Sequence, residues 1–315
     1  MVLMNMVYQG TVTGPILWNL FFEDARLAIN ECFFEEVVYA DDLNAYRIFP
    51  SDTDNDIIKT CMCDCQQELH KWGLANQVAF DAGKESQHVL SVSDPFGDSF
   101  KMLGVSFDSS LSMADAIEEL VSASSWKLRT LIRTRRFYSH ADLVVLYKAH
   151  LLSFIEYRTP AIYHATRLCL SRIDAIQNRF LKDVGIDNVE ALVEFHLAPL
   201  STRRDMAMLG LIHRTALGKG PPRFQTFFRK HDSASTLHDP RAGSRSPLIK
   251  RSALGLVAIY NLLPHSFRAA RSVPAFQKSL QEMVTKYATS GHPQWSEVFS
   301  PRLPLTSHPL ARQYL

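Results

Sequence analysis

No stretch of this 315-residue chain approaches the ~18 consecutive apolar residues that a membrane-crossing helix needs, so no membrane partner is expected. Basic residues are missing from the start. The first is Arg26, so no charged segment precedes an apolar one in the manner of a secretory signal. Cysteine is scarce: there are 5, with Cys61, Cys63 and Cys65 crowded together and Cys32 and Cys169 apart. An odd, clustered set is a poor disulfide framework and points to a reducing compartment, hence to an intracellular location, nucleus or cytoplasm. There is no repeat at solenoid periods and no basic run dense enough for a nuclear address. Global disorder is excluded too, because hydrophobic residues make up 46% of the chain and charged residues 21%.

What is present is unevenly placed. The formal charge is only +2, but residues 1–120 hold 6 Lys and Arg against 20 Asp and Glu, a balance of −14. Residues 121–315 hold 28 against 12, a balance of +16. An acidic first part and a basic second part imply two surfaces with different jobs, one of them suited to nucleic acid.

Thr13-Gly14-Pro15 predicts a helix start, with Pro15 in the first turn where no backbone N–H is missed. Phe33-Phe34 with Val37-Val38-Tyr39-Ala40 predicts a strand, and Leu43 to Ile48 a second, with Asp41-Asp42 as the tight connection. Ile58, Cys61, Met62, Cys65, Leu69 and Trp72 form a helical stripe. Short strands are predicted at Val78 to Phe80, Val89 to Val92 and Lys101 to Asp108. Beyond residue 112 the strand signals stop and helices follow, with an exposed linker near 229–250 and further helices near 251–263 and 273–289.

Tyr39-Ala40-Asp41-Asp42 is the centre of the sequence. Adjacent aspartates at a turn are usually solvated, but carboxylates on a rigid hairpin are also what a divalent-metal site for phosphoryl transfer requires. Four blocks then line up. Gln9-Gly10-Thr11-Val12-Thr13-Gly14-Pro15 resembles the Gln-Gly…Pro block that opens a helix in reverse transcriptases, and Tyr39-Ala40-Asp41-Asp42 resembles their catalytic hairpin. Gly83-Lys84 is similar to the lysine-bearing block that follows, and Lys101-Met102-Leu103-Gly104-Val105-Ser106-Phe107-Asp108 to the hairpin before the thumb. The style is that of non-LTR (LINE-type) retrotransposons. Leu146-Tyr147-Lys148, Ile176-Gln177-Asn178-Arg179-Phe180 and Pro199-Leu200-Ser201-Thr202-Arg203-Arg204 resemble the region after that polymerase domain.

The resemblance implies an α+β fold. Residues 1–112 would be the C-terminal part of a polymerase palm and 113–228 a helical thumb-like region, followed by a linker over 229–250 and a helical extension over 251–315. It implies an RNA-directed DNA polymerase that adds deoxynucleotides to a DNA primer on an RNA template, with Mg²⁺ or Mn²⁺. Asp41 and Asp42 would be the catalytic metal ligands. Gln9, Gly10, Tyr39 and Lys84 would lie against nucleotide and template, and Leu103-Gly104 would grip the primer. Lys84 reads equally as an exposed turn lysine, and Leu103-Gly104 as a buried strand residue before a bulge glycine. The family carries a third metal carboxylate on a strand well upstream of the Gln-Gly block. With Met1 eight residues before Gln9, that strand is not expected here, so the chain is expected to be inactive alone. The alternative reading is a non-catalytic nucleic-acid-binding remnant.

Other features are weaker. Cys61-Met62-Cys63-Asp64-Cys65 lacks zinc spacing, and helical phase puts Cys61 and Cys65 on the apolar stripe. Arg129, Arg133 and Arg136 share a helical face, and Arg172, Arg179 and Lys182, then Arg203, Arg204 and Arg214, repeat the arrangement. Phosphate contact and a solvated face are about equally expected for these, with Arg129, Arg133, Arg136 and Arg179 the leading backbone contacts. Trp126, Phe137 and Tyr138 lie nearby and would suit stacking on bases, although core placement is the commoner outcome of that spacing.

Overall fold

Helical stripes supply most of the buried surface, and strands appear only as hairpins. The computed structural model describes residues 11–91, 93–231, 236–241 and 246–311. It is α+β, with two separate two-stranded antiparallel sheets. The chain divides into two units, Met1–Phe100 and Lys101–Leu315.

In the first unit, α1 (Gly14–Phe21) and α2 (Glu23–Glu31) lead to β1 (Glu35–Tyr39) and β2 (Asp42–Tyr46), followed by α3 (Asn55–Asn76). The Asp54 carboxylate caps α3 by accepting from the Asp56 N–H at 2.7 Å, and Gln77 ends it in the left-handed region at φ 59°. The predicted stripe faces inward: Ile58, Cys65 and Trp72 are buried, and Cys61, Met62 and Leu69 pack beside them. Phe22 meets Trp72 edge-on, ring centroids 5.4 Å apart. Gly73 sits mid-helix because a Cβ there would come within 2.7 Å of the Val78 carbonyl oxygen and 2.9 Å of the Phe80 ring.

Two strand expectations fail here. Among the described residues Val78 to Phe80 forms no strand; the Val78 and Phe80 side chains pack with Leu69 and Trp72 of α3 instead. Of the stretch Val89 to Val92, Val92 lies outside the described residues, and Val89 makes an isolated bridge to Phe96. Phe33 also leaves the strand. It takes φ 62° to end α2, where its N–H bonds the Asn30 carbonyl at 2.9 Å.

In the second unit, β3 (Phe100–Met102) and β4 (Val105–Phe107) form a hairpin before α4 (Ala114–Arg133). Next come α5 (His140–Tyr147), which runs on through a π-helical turn at Lys148–Leu152, and then α6 (Arg167–Val184), α7 (Leu200–Ala216) and α8 (Val273–Thr289). One core gathers Ile117, Leu120, Leu128 and Leu131 of α4 with Leu143 and Tyr147 of α5 and Ile173, Ile176 and Phe180 of α6. Tyr147 and Phe180 stack at 4.3 Å. A second core joins Met208, Leu209 and Ile212 of α7 to Tyr260 and to Phe276, Leu280 and Val284 of α8. The stretch expected as an exposed linker takes part in it. Leu237 is buried, and the Asn261 side chain holds both its N–H and its carbonyl at 2.9 Å. No helix among the described residues is long and apolar enough to cross a membrane.

Candidate functional site

The first hairpin pairs Glu35 with Tyr46, Val37 with Asn44, Val38 with Leu43 and Tyr39 with Asp42. Its two-residue connection is therefore Ala40-Asp41, one residue earlier than the sequence suggested, and Asp42 opens β2. Val38 and Leu43 pack inward, which leaves Tyr39 and Asp42 on the opposite, exposed face. Asp41 is exposed at the tip. The Trp18 indole N–H donates to the Ala40 carbonyl at 2.8 Å and ties the turn to α1. Ala40 holds φ 55°, where a Cβ costs roughly 1 kcal/mol. Ala40→Gly, which keeps that carbonyl, should raise stability by about 0.5–1 kcal/mol, read as a higher urea midpoint.

Among the described residues, no group of three or more His, Cys, Asp or Glu side chains is placed to hold a metal ion. Two exposed carboxylates leave most of the near-octahedral shell of Mg²⁺ to water, and a two-ion site needs more ligands than Asp41 and Asp42 offer. Asp108, at the end of the second hairpin block, is held by local hydrogen bonds. Its oxygens accept from the N–H groups of Ser112 at 2.9 Å and Met113 at 2.7 Å, and from the Ser110 and Ser112 hydroxyls, ahead of α4. Burial works to raise its pKa, but these bonds outweigh it and hold it below the ordinary aspartate value.

Lys84 lies in an exposed turn, its ammonium 3.5 Å from Asp81. Leu103 and Gly104 form the tip of the second hairpin at φ 48° and 76°, the signs a tight hairpin turn prefers, so Leu103 is neither buried nor a bulge neighbour. The Tyr157 hydroxyl donates to the Leu103 carbonyl at 2.8 Å. Gln9 and Gly10 lie outside the described residues.

The arginines sort into two kinds. Arg172 pairs with Glu118, Arg203 with Glu156, and Arg204 reaches both Asp174 oxygens at 2.7 and 2.9 Å while itself buried. The Arg214 guanidinium donates to the Lys219 carbonyl at 3.0 Å. These groups brace the fold. Arg129, Arg133, Arg135 and Arg136 are different: together with Arg179, Leu128, Ile132 and Asp183 they line one open cavity of about 500 Å³. All five arginines are exposed, and the one acid at the cavity, Asp183, lies 3.7 Å from Arg179. So the four leading backbone candidates, drawn from two segments far apart in sequence, meet at one place. Arg135 joins them because α4 stops at Thr134 and a 3₁₀ turn, Arg135–Phe137, swings successive side chains round more sharply. A helix continued through 136 would have turned Arg135 away, which is why phase alone missed it.

The aromatic expectation is reversed. Trp126 is 63% exposed, Phe137 69% and Tyr138 46%. A further feature, invisible in the sequence, lies on the buried face of α7. Asp205 is buried and accepts from the Tyr163 hydroxyl at 2.6 Å. Burial pushes its carboxyl up to about 7, against the pull of Arg302 and Arg204. No family model, no curated protein and no solved structure matches this chain.

Proposed function

We propose that the chain holds nucleic-acid backbone on the arginine-lined cavity of its second unit, as the post-polymerase part of a protein of non-LTR reverse-transcriptase type. The observation that carries this reading is the convergence of Arg129, Arg133, Arg135 and Arg136 with Arg179 around a cavity that holds one acid. Guanidinium forks suit phosphate oxygens, and exposed cations gain most from a polyanion whose counterions they displace.

The fuller reading, primer extension on an RNA template, rests on the four sequence blocks and on the two hairpins that carry Asp41-Asp42 and Leu103-Gly104. The form proposed here is backbone binding, because the arginine cavity is what the geometry brings together.

Fluorescence anisotropy with a labelled DNA primer annealed to an RNA template tests the proposal. If three or four phosphates are neutralised, affinity should fall about 50- to 150-fold between roughly 50 and 200 mM salt. Absence of binding at low salt overturns it. Primer extension in Mg²⁺ or Mn²⁺ should give no product; product that Asp41→Asn abolishes would establish the polymerase reading instead.

A further inference from the structure

A duplex shows a protein its phosphates and groove edges, whereas the flat faces of its bases are stacked out of reach. An unpaired strand shows both phosphates and faces. Trp126 and Phe137, close in sequence to the cavity's arginines and exposed, are side chains suited to the second kind of ligand. Taking about 100° per residue, Trp126, Arg129 and Arg133 fall within about 60° of one another around the axis of α4. They lie opposite Ser124, Leu128 and Leu131, which are buried. Indole and guanidinium groups thus share one exposed stripe. Past the end of α4, in the 3₁₀ turn, the Arg136 guanidinium carbon lies 4.7 Å from the Phe137 ring centroid. From Trp126 to Phe137 the stripe spans roughly 17 Å, room for about five nucleotides at a stacked rise of about 3.4 Å. Trp126 gives up burial that the same helix provides to Leu128 and Leu131, and both exposed rings lie close in sequence to exposed cations, where base faces would meet them.

We propose that this stripe takes an unpaired nucleic-acid strand in preference to a duplex, with Trp126 and Phe137 stacking on bases while Arg129, Arg133 and Arg136 hold the phosphates. The inference rests on the reading that this face contacts nucleic-acid backbone. Stacking sees base faces and the arginines see phosphate, so DNA and RNA strands should bind alike.

The test uses the full chain and anisotropy with three probes of equal length: a thymidine homopolymer, a uridine homopolymer and a DNA duplex. Both single strands should bind at least tenfold more tightly than the duplex, one stacked base being worth about that factor. Trp126→Ala with Phe137→Ala should lower single-strand affinity tenfold or more and change duplex affinity less than twofold. Trp126→Phe, which keeps a ring, should restore most of the loss. Duplex binding as tight as single-strand binding, or an equal loss for all probes in the double variant, overturns the inference. Arg129→Glu with Arg133→Glu separates the two readings. If it abolishes binding of every probe while the aromatic variant discriminates nothing, only the stacking idea falls. If it changes nothing, backbone contact at this face falls with it.

Discussion

Replacing Arg129 and Arg133 together by glutamate should lower the chain's affinity for nucleic acid at least a hundredfold. A hydrogen bond to a charged partner contributes about 1.5–3 kcal/mol, so two lost phosphate contacts amount to roughly 3–6 kcal/mol before the new repulsion is counted. The slope of affinity against salt should flatten by about two phosphate contacts. Both side chains are exposed and point away from Leu128 and Leu131, so the melting temperature should move by no more than a few degrees. The decisive contrast is Arg172→Gln. Arg172 carries the same charge but is paired with Glu118, so its loss should weaken binding less than threefold. If the two variants weakened binding equally, general positive charge rather than this cavity would be responsible.

Raising the pH from 5 to 8 should make Asp205→Asn more stable relative to the unmodified chain by about 3 kcal/mol. The ordinary aspartate value is 3.8 and burial lifts Asp205 to about 7, so the folded state keeps a proton that the unfolded state has released. Stability from this group is therefore complete below about pH 3.8 and is lost as pH rises through 7. Between pH 5 and 7 each pH unit removes about 1.4 kcal/mol. Asparagine cannot ionise, and it still offers an oxygen to the Tyr163 hydroxyl. His164, His213 and His308, whose pKa values burial lowers, act in the opposite sense as pH falls, so the quantity to follow is the difference between variant and parent in urea melts. A difference that stays flat from pH 5 to 8 would show that Asp205 is ionised throughout.

Periodicity carried the sequence reading wherever one element supplied its own evidence. The stripe on α3 and the span of α8 follow from spacing alone, and so does the hairpin around Asp41, to within one residue. The failures share a cause. Val78 to Phe80 has strand composition, but a strand requires a partner whose edge lies elsewhere in the chain. The clusters of Arg172, Arg203 and Arg204 looked like the Arg129 cluster because sequence shows charge and not pairing. Their partners Glu118, Glu156 and Asp174 lie 54, 47 and 30 residues away. Exposure of Trp126 was equally hidden, since helical spacing fixes which residues share a face but not which face finds a neighbour.

That pairing has an electrostatic consequence. With Arg172, Arg203 and Arg204 each held by a close acid, the positive charge left without an ion partner is concentrated in the arginines at the end of α4. A concentrated patch of one sign gives the surface potential a direction. At low ionic strength it turns an approaching polyanion before contact and speeds encounter, and the effect fades once the Debye length shrinks below about 10 Å.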